Sequence, residues 1–212
     1  MVGLGGFMTG LDTIRNSAYE NKKHTRQRIL NAATEIFSEK GYHGTAVDDI
    51  VKASNSSKGS FYFHFPSKQE IFFSLIDRFV ASLISNIEIA IDRESGIYDK
   101  INAALGIVFN TIAKHRSLAR ILLSGGMGLG KVFDEKLLDG HARLAGLIKR
   151  YLDLAIEEGS IEPMNTEVMA YAWFGSMNEV VIRWLYSENS DFLDQAFDTV
   201  REMLLSSINT RK

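Results

Sequence analysis

The chain has no cysteine and only two prolines, Pro66 and Pro163. The first absence excludes disulfides and cysteine-ligated zinc and permits a reducing compartment. The second leaves long stretches free of the residue that removes a backbone donor, in a sequence rich in Leu, Ile, Ala, Glu and Lys, and so favours helices throughout. Strict apolar–polar alternation over strand lengths is also missing, and no apolar run reaches the roughly 18 residues of a membrane span. The Gly-rich opening from Val2 to Leu11 lacks the basic flank of a signal peptide. Together these absences predict an all-α, soluble, cytoplasmic protein with no membrane partner. The 212 residues are 45% hydrophobic, enough to bury a core in one domain or two small ones.

Net charge is only −2, but it is unevenly spread. Eight basic residues (Lys22, Lys23, Arg26, Arg28, Lys40, Lys52, Lys58, Lys68) stand against four acidic ones (Glu35, Glu39, Asp48, Asp49) between positions 22 and 68. That segment carries +4 and the rest −6, the footprint of a molecule of which one end meets phosphate.

The same segment has helix punctuation. Ile29, Ala33, Ile36 and Phe37 predict a helix from about Thr25 to Lys40, with Gly41 as its stop. Thr45 and Asp48 have the spacing of a capping box, and Val47, Ile50 and Val51 give the following short helix an apolar face. Ser54, Asn55 and Ser56 end it. Ser57 is positioned to cap a second short helix that buries Phe61 and Phe65 and presents Lys58, Ser60, Tyr62 and His64; Pro66 ends it. Ser67 and Glu70 make another capping box, with Lys68 free in its first turn, opening a long helix to about Arg93 striped by Ile71, Leu75, Phe79, Leu83, Ile87 and Ala90. Helix, tight turn, helix with donors on the second member is the arrangement that sets a recognition helix in the major groove.

Ile50, Ala53, Ser57, Lys58, Gly59, Ser60, Phe61, Tyr62, His64, Phe65 and Lys68 together resemble the DNA-binding domain of TetR-type transcriptional regulators. Two positions depart from that pattern: Asn55 stands where a turn glycine is usual and Ser56 where a valine is usual. The resemblance implies a flexible arm over 1–22, a three-helix DNA-binding domain over 23–68 and a larger helical ligand-binding and dimerisation domain over 69–212. It implies a homodimeric repressor on a palindromic double-stranded DNA operator, released when a hydrophobic or amphipathic inducer, such as a fatty acyl-CoA or a lipophilic drug, enters the larger domain. Thr45, Tyr62, His64 and Lys68 are expected on phosphates, Ser57, Lys58 and Ser60 on base edges or neighbouring phosphates, and Gly59 where the backbone approaches DNA closely.

Helices are expected beyond the long one near Asp99–Lys114, Ser117–Ser124, Lys131–Glu158, Asn165–Ser187 and Ser190–Ile208. The last two are richer in apolar and aromatic residues than one buried face requires: Ala170, Trp173, Phe174, Met177, Val180, Val181 and Trp184, then Phe192, Phe197, Val200, Leu204 and Leu205. That surplus suggests self-association. Candidate ligand-wall residues are Phe79 and Leu83; Leu105, Val108, Phe109 and Ile112; Leu144, Ile148 and Tyr151; and Trp173, Met177 and Trp184. Each fits plain core packing as well. Asn178 and Arg183 stand out as polar residues in an apolar helix, where a buried polar group needs a partner and a ligand is one candidate.

Gly125–Lys131, GGMGLGK, has the glycine and lysine spacing of a phosphate-binding loop, but Val132 replaces the Ser or Thr that would hold magnesium. A nucleotide-binding enzyme using this loop, or a helical adaptor that does not bind DNA, is therefore the alternative reading. His24, His43, His64, His115 and His141 show no metal-ligand spacing, and no nucleophile elbow occurs. No catalytic residue, metal or cofactor is expected.

Overall fold

The structure, a computed structural model, describes residues 5–124, 130–188 and 192–208. Among them no strand occurs; the elements are α1 (Gly5–Gly44), α2 (Val47–Ala53), α3 (Lys58–His64), α4 (Lys68–Ile91), α5 (Ile97–Lys114), α6 (Arg116–Ser124), α7 (Lys131–Glu157), α8 (Thr166–Leu185) and α9 (Phe192–Ser206). From α5 onward their ends fall within about two residues of the expected ones. The chain divides into two compact units, Met1–Leu75 and Ile76–Lys212, so the division falls inside α4 rather than at its start.

In the first unit α1 begins at Gly5 instead of Thr25. The segment expected to be a flexible arm thus joins the helix. No proline lies between residues 5 and 44 to stop propagation, and isolated glycines only weaken a helix. Gly41 is the stop that was expected: at φ 72, ψ 174 it breaks the helical path, a conformation that a side chain disfavours. The core gathers Ile29, Leu30, Ala33 and Phe37 of α1, Ile50 of α2, Phe61 and Phe65 from α3 and its end, and Ile71 and Phe72 of α4, all essentially inaccessible. Phe37 packs edge-on to Phe72 at 5.6 Å and stacks on Tyr42 at 5.8 Å.

The second unit packs α5 to α9 around Leu105, Phe109, Leu152, Trp173, Val181 and Leu204, with further burial between α4 and α7 through Leu83, Ile87 and Leu147. The α7–α8 turn follows from Gly159, whose φ of 72 lets the amide of Ser160 reach the Ala155 carbonyl (2.8 Å) and its own amide reach Ile156 (3.0 Å), a Schellman end. Asn165 then caps α8, accepting from the Val168 amide at 3.1 Å. Arg116 closes the other end of α8, donating to the carbonyls of Trp184 (3.0 Å) and Ser187 (2.5 Å) while lying 4.5 Å over the Trp184 ring.

The apolar surplus of the last two helices goes largely into this unit's own core. Ala170, Trp173, Val181, Trp184, Val200 and Leu204 are buried within the chain, and Trp173 ties α8 to α9 by donating to the Ser207 hydroxyl at 2.9 Å. The large side chains left exposed on these helices are others: Val168, Tyr171 and Met203, with Tyr186 just past the end of α8.

Candidate nucleic-acid interface and ligand cavity

The turn between α2 and α3 is tight despite its two unusual residues. Asn55 occupies the left-handed region at φ 48, which asparagine tolerates better than most residues. Its amide reaches the Lys52 carbonyl (3.1 Å), and the Ser56 amide reaches Val51 (3.2 Å); the two bonds make a Schellman end for α2. Where the usual apolar residue would pack, the Ser56 hydroxyl instead meets that of buried Ser54 at 2.8 Å, and Ser54 is anchored on the Val51 carbonyl. Arg28 of α1 donates to the Asn55 carbonyl at 3.3 Å, a clamp that no local spacing announced.

Ser57 caps α3 as expected, accepting from the Ser60 amide at 3.1 Å. Phe61 and Phe65 are buried, while Ser57, Lys58, Gly59 and Tyr62 are exposed and Ser60 and His64 are half-buried. In the free protein Lys58 is held by Asp48 at 2.8 Å, an exposed pair that solvent screens and a phosphate can replace. The pair raises the Lys58 pKa, chiefly through the hydrogen bond that Lys58 donates to Asp48.

Two expected contacts are corrected by their surroundings. Thr45 does not cap α2: the cap is Ala46, whose amide donates to the Asp49 carboxylate at 3.1 Å. The Thr45 side chain is buried and its hydroxyl donates to the Gly41 carbonyl at 2.7 Å, so it holds the kink and is not presented to a ligand. Lys68 is not free either. Its ammonium donates to the carbonyls of Tyr42 (2.8 Å) and Thr45 (2.9 Å) and sits 4.5 Å over the Tyr42 ring, and burial lowers its pKa.

One surface residue escaped the sequence reading. Phe63 is 68% exposed on α3 with the Lys22 ammonium 4.6 Å over its ring. It lies four residues after Gly59, hence on the same helix face, and that spacing was available to find it. Arg26 lies 4.8 Å over the Phe65 ring, so α1 adds two cations beside α3.

Gly59 separates fold from function. A Cβ there would meet only the Ser57 hydroxyl at 3.9 Å, so the chain's own packing does not require glycine. Gly59→Ala is expected to leave thermal stability unchanged or raise it by about 0.5 to 1 kcal/mol. It should nevertheless cost about 1 kcal/mol or more of DNA affinity, the scale of one lost polar contact. Calorimetric unfolding and fluorescence anisotropy on labelled DNA check the two halves.

The second unit encloses a mainly apolar cavity of about 230 Å³. Of the wall residues expected, Phe79 and Leu83 line it from α4, and Leu105, Val108 and Ile112 from α5. Leu144, Ile148 and Tyr151 line it from α7, and Trp173, Met177 and Asn178 from α8. Three expected residues lie elsewhere. Phe109 is buried edge-on against Phe197 at 5.5 Å, Trp184 is buried under Arg116, and Arg183 is exposed to solvent. Five residues on a helix turn through about 140°, so Arg183 cannot share the face of Asn178. Residues that sequence reasoning missed supply most of the polarity: Ser95, Lys100, His141, Glu158 and Ser160.

Of the candidate phosphate-binding loop, Gly125 to Leu129 lie outside the described residues. Its Lys131 opens α7, fully solvated and 3.6 Å from Glu135, and the element before it is helix α6 where such a loop follows a strand. Among the described residues no group of three or more His, Asp or Glu is placed to hold a metal, and no helix is long and apolar enough to cross a membrane.

Residues 29–75 match the family model of bacterial regulatory proteins of the tetR family. The chain is 25% identical over 197 residues to the fatty acid metabolism regulator protein of Bacillus subtilis, covering 91% of this chain and all of that one. It is 26% identical over 198 residues to the HTH-type transcriptional repressor DhaR of a Mycobacterium species, covering 86% and 93%. Among solved structures, the fatty acid degradation regulator FadR of Bacillus halodurans superposes with a TM-score of 0.78 at 21% identity over 88% of this chain and 97% of its own. FadR of Bacillus subtilis, solved with stearoyl-CoA, gives 0.77 at 23% identity over 86% and 99%. Residues 29–75, with the helix–turn–helix geometry of α2 and α3, therefore carry the N-terminal domain of bacterial regulatory proteins of the tetR family, and the chain shares the fold of the FadR structures.

Proposed function

We propose that the protein is a homodimeric repressor that binds a palindromic operator through α3 and leaves it when an acyl-CoA enters the cavity of its second unit. The observation that carries the DNA-binding part is the division of α3 into a buried face, Phe61 with Phe65 behind it, and an exposed face bearing Lys58, Gly59 and Tyr62. Lys58, Ser60, Tyr62 and His64 are the side chains proposed to meet DNA; Ser57 positions the helix N-terminus, where free amides favour a phosphate. Thr45 and Lys68 support that surface from within. The exposed Val168, Tyr171, Tyr186 and Met203 are the proposed contribution to a two-fold partner, which a palindrome with half-sites about one helical turn apart requires.

The ligand class rests on the cavity's shape and chemistry. Its wall follows α4 from Ile76 to Ile91, roughly 22 Å at 1.5 Å per residue. A volume of about 230 Å³ drawn out over that length suits a single chain better than a fused-ring drug. Lys100, in the first turns of α5, with Ser95 and Ser160, offers one end to an anionic head. A relative of similar length is a fatty acid metabolism regulator, and a fold neighbour was solved with stearoyl-CoA. Because α4 both follows the recognition helix and lines the cavity, a shift of α4 on filling would disturb the register of α3.

The test is operator binding to palindromes from the protein's own promoter region over a range of salt, with and without acyl-CoA. Lys58→Ala and Tyr62→Ala are each expected to lose about 1 to 3 kcal/mol of operator affinity, the lysine change also flattening the salt dependence. Unchanged affinity in both would refute the interface.

His64 provides a pH test of the same surface. Burial, then the charges of Lys22 and Arg26, lowers its pKa below the usual 6.5 in the free protein. A phosphate beside it favours the imidazolium and raises the pKa in the complex, so binding takes up a proton. Operator affinity should therefore rise as pH falls through the pKa of the complex and level off below that of the free protein. His64→Gln should remove this slope, as read by anisotropy across about pH 8 to 5.5.

A further inference from the structure

The cavity carries polar groups at two levels along α4, and the second set is not needed by an ordinary acyl chain. Lys100 marks one end, just after the α4–α5 connection. Toward the other, about one helical turn short of Ile76 and Leu137, His141 of α7 and Asn178 of α8 line the wall. The separation follows from helix registers. Asp77 takes Lys136 and Arg143, and Glu88 pairs with Arg150, so α4 and α7 run side by side in the same direction. A Cβ on Gly140 would touch Val80 at 3.5 Å, which sets His141 level with Val80. From Val80 to Ile91, where the Lys100 end begins, is roughly 16 Å. The His141 ring lies 4.8 Å from that of Phe174, one helical turn before Asn178, so imidazole and carboxamide share one corner.

Neither group has a hydrogen-bond partner among the described residues, whereas the charged side chains near that corner, Asp77, Lys136 and Arg143, are paired with one another. Burial lowers the His141 pKa, so the ring is neutral near pH 7 and offers one donor and one acceptor, as the carboxamide does. Covering such a corner with a methyl terminus would strand both groups, at a cost of about 1 to 3 kcal/mol each. A buried carboxylate would find no uncommitted cation there. A neutral oxygen function would pair with both.

We infer that the His141–Asn178 corner recognises a hydroxyl or carbonyl oxygen on the far end of the ligand chain, so that the cavity selects an ω-oxygenated acyl chain over a plain one. This rests on the acyl-chain reading of the cavity and narrows it. Bonds near 1.5 Å advance about 1.25 Å each along an extended zigzag, so a span of roughly 16 Å corresponds to on the order of 13 carbon–carbon bonds, which makes tetradecanoyl-CoA and ω-hydroxytetradecanoyl-CoA the probes.

The experiment compares their affinities for the full chain through intrinsic tryptophan fluorescence, Trp173 lining the cavity, checked by calorimetry. The hydroxylated chain is expected to bind at least about tenfold more tightly. Asn178→Leu and His141→Leu should each bring that ratio close to one while retaining the plain chain, whose binding certifies an intact cavity; Asn178→Ala serves if a leucine variant fails to fold. Equal or tighter binding of the plain chain by the wild type overturns the inference and leaves the acyl-chain reading standing. So does a preference that survives in every variant. Failure of both thioesters to bind overturns the acyl-chain reading and this inference with it.

Discussion

Phe61→Ala is expected to destabilise the N-terminal unit by about 3 to 5 kcal/mol, the cost of deleting a fully buried ring from a packed core. Phe61 is inaccessible to solvent and meets Tyr62 edge-on at 5.4 Å and Phe65 at 6.2 Å. Against a total stability of about 5 to 15 kcal/mol, that loss removes much of the margin of a unit this small. Because the chain divides into two compact units, its unfolding need not be a single transition. Urea denaturation followed by far-ultraviolet circular dichroism should show an early transition from the N-terminal unit, with operator binding gone, while the acyl-CoA affinity of the second unit stays close to wild type. Loss of ligand binding in step with DNA binding would mean that the two units unfold as one. The contrast with Gly59→Ala is diagnostic: one residue sits inside α3 and governs stability, the other sits on its surface and governs affinity.

The architecture was legible because its signals are local. Caps at Ser57 and Ser67, the stop at Gly41, and helical stripes each depend on neighbours within one or two turns, and each appears where the spacing places it. Asn55 shows the strength of such reasoning: a residue departing from the family pattern still adopts the left-handed turn that the pattern demands. Expectations of what a side chain touches fared less evenly. Thr45 was read as a cap and phosphate contact because the chain bend at Gly41, which brings a carbonyl to its hydroxyl, is a tertiary event. Lys68 likewise finds its carbonyls 23 and 26 residues away. Arg183 was a different kind of error, since its angular offset from Asn178 was computable from the sequence alone. Trp184 shares the angular position of Trp173 but lies roughly 16 Å farther along α8, beyond the cavity and under Arg116. The polar groups of the cavity were invisible because Lys100, His141 and Ser160 acquire meaning only when six helices enclose one void.

Ala104→Phe is expected to produce a repressor that acyl-CoA cannot release. Ala104 lines the cavity from α5 between Ile101 and Val108, which also line it, so a phenyl ring there projects into the cavity. Overpacking a filled core costs about 1 to 3 kcal/mol, but here the ring enters existing space of about 230 Å³, and burial of its apolar surface offsets part of the strain. Ligand affinity should fall at least about a hundredfold, or roughly 2.7 kcal/mol, because the chain and the ring compete for the same volume. Operator affinity and its salt dependence should remain those of the wild type, since every side chain proposed to meet DNA lies in the first unit. Calorimetric titration with tetradecanoyl-CoA measures the first effect, and a gel shift in which rising thioester no longer frees the operator measures its consequence. Wild-type ligand affinity in this variant would place the acyl chain outside the cavity, whatever the DNA result.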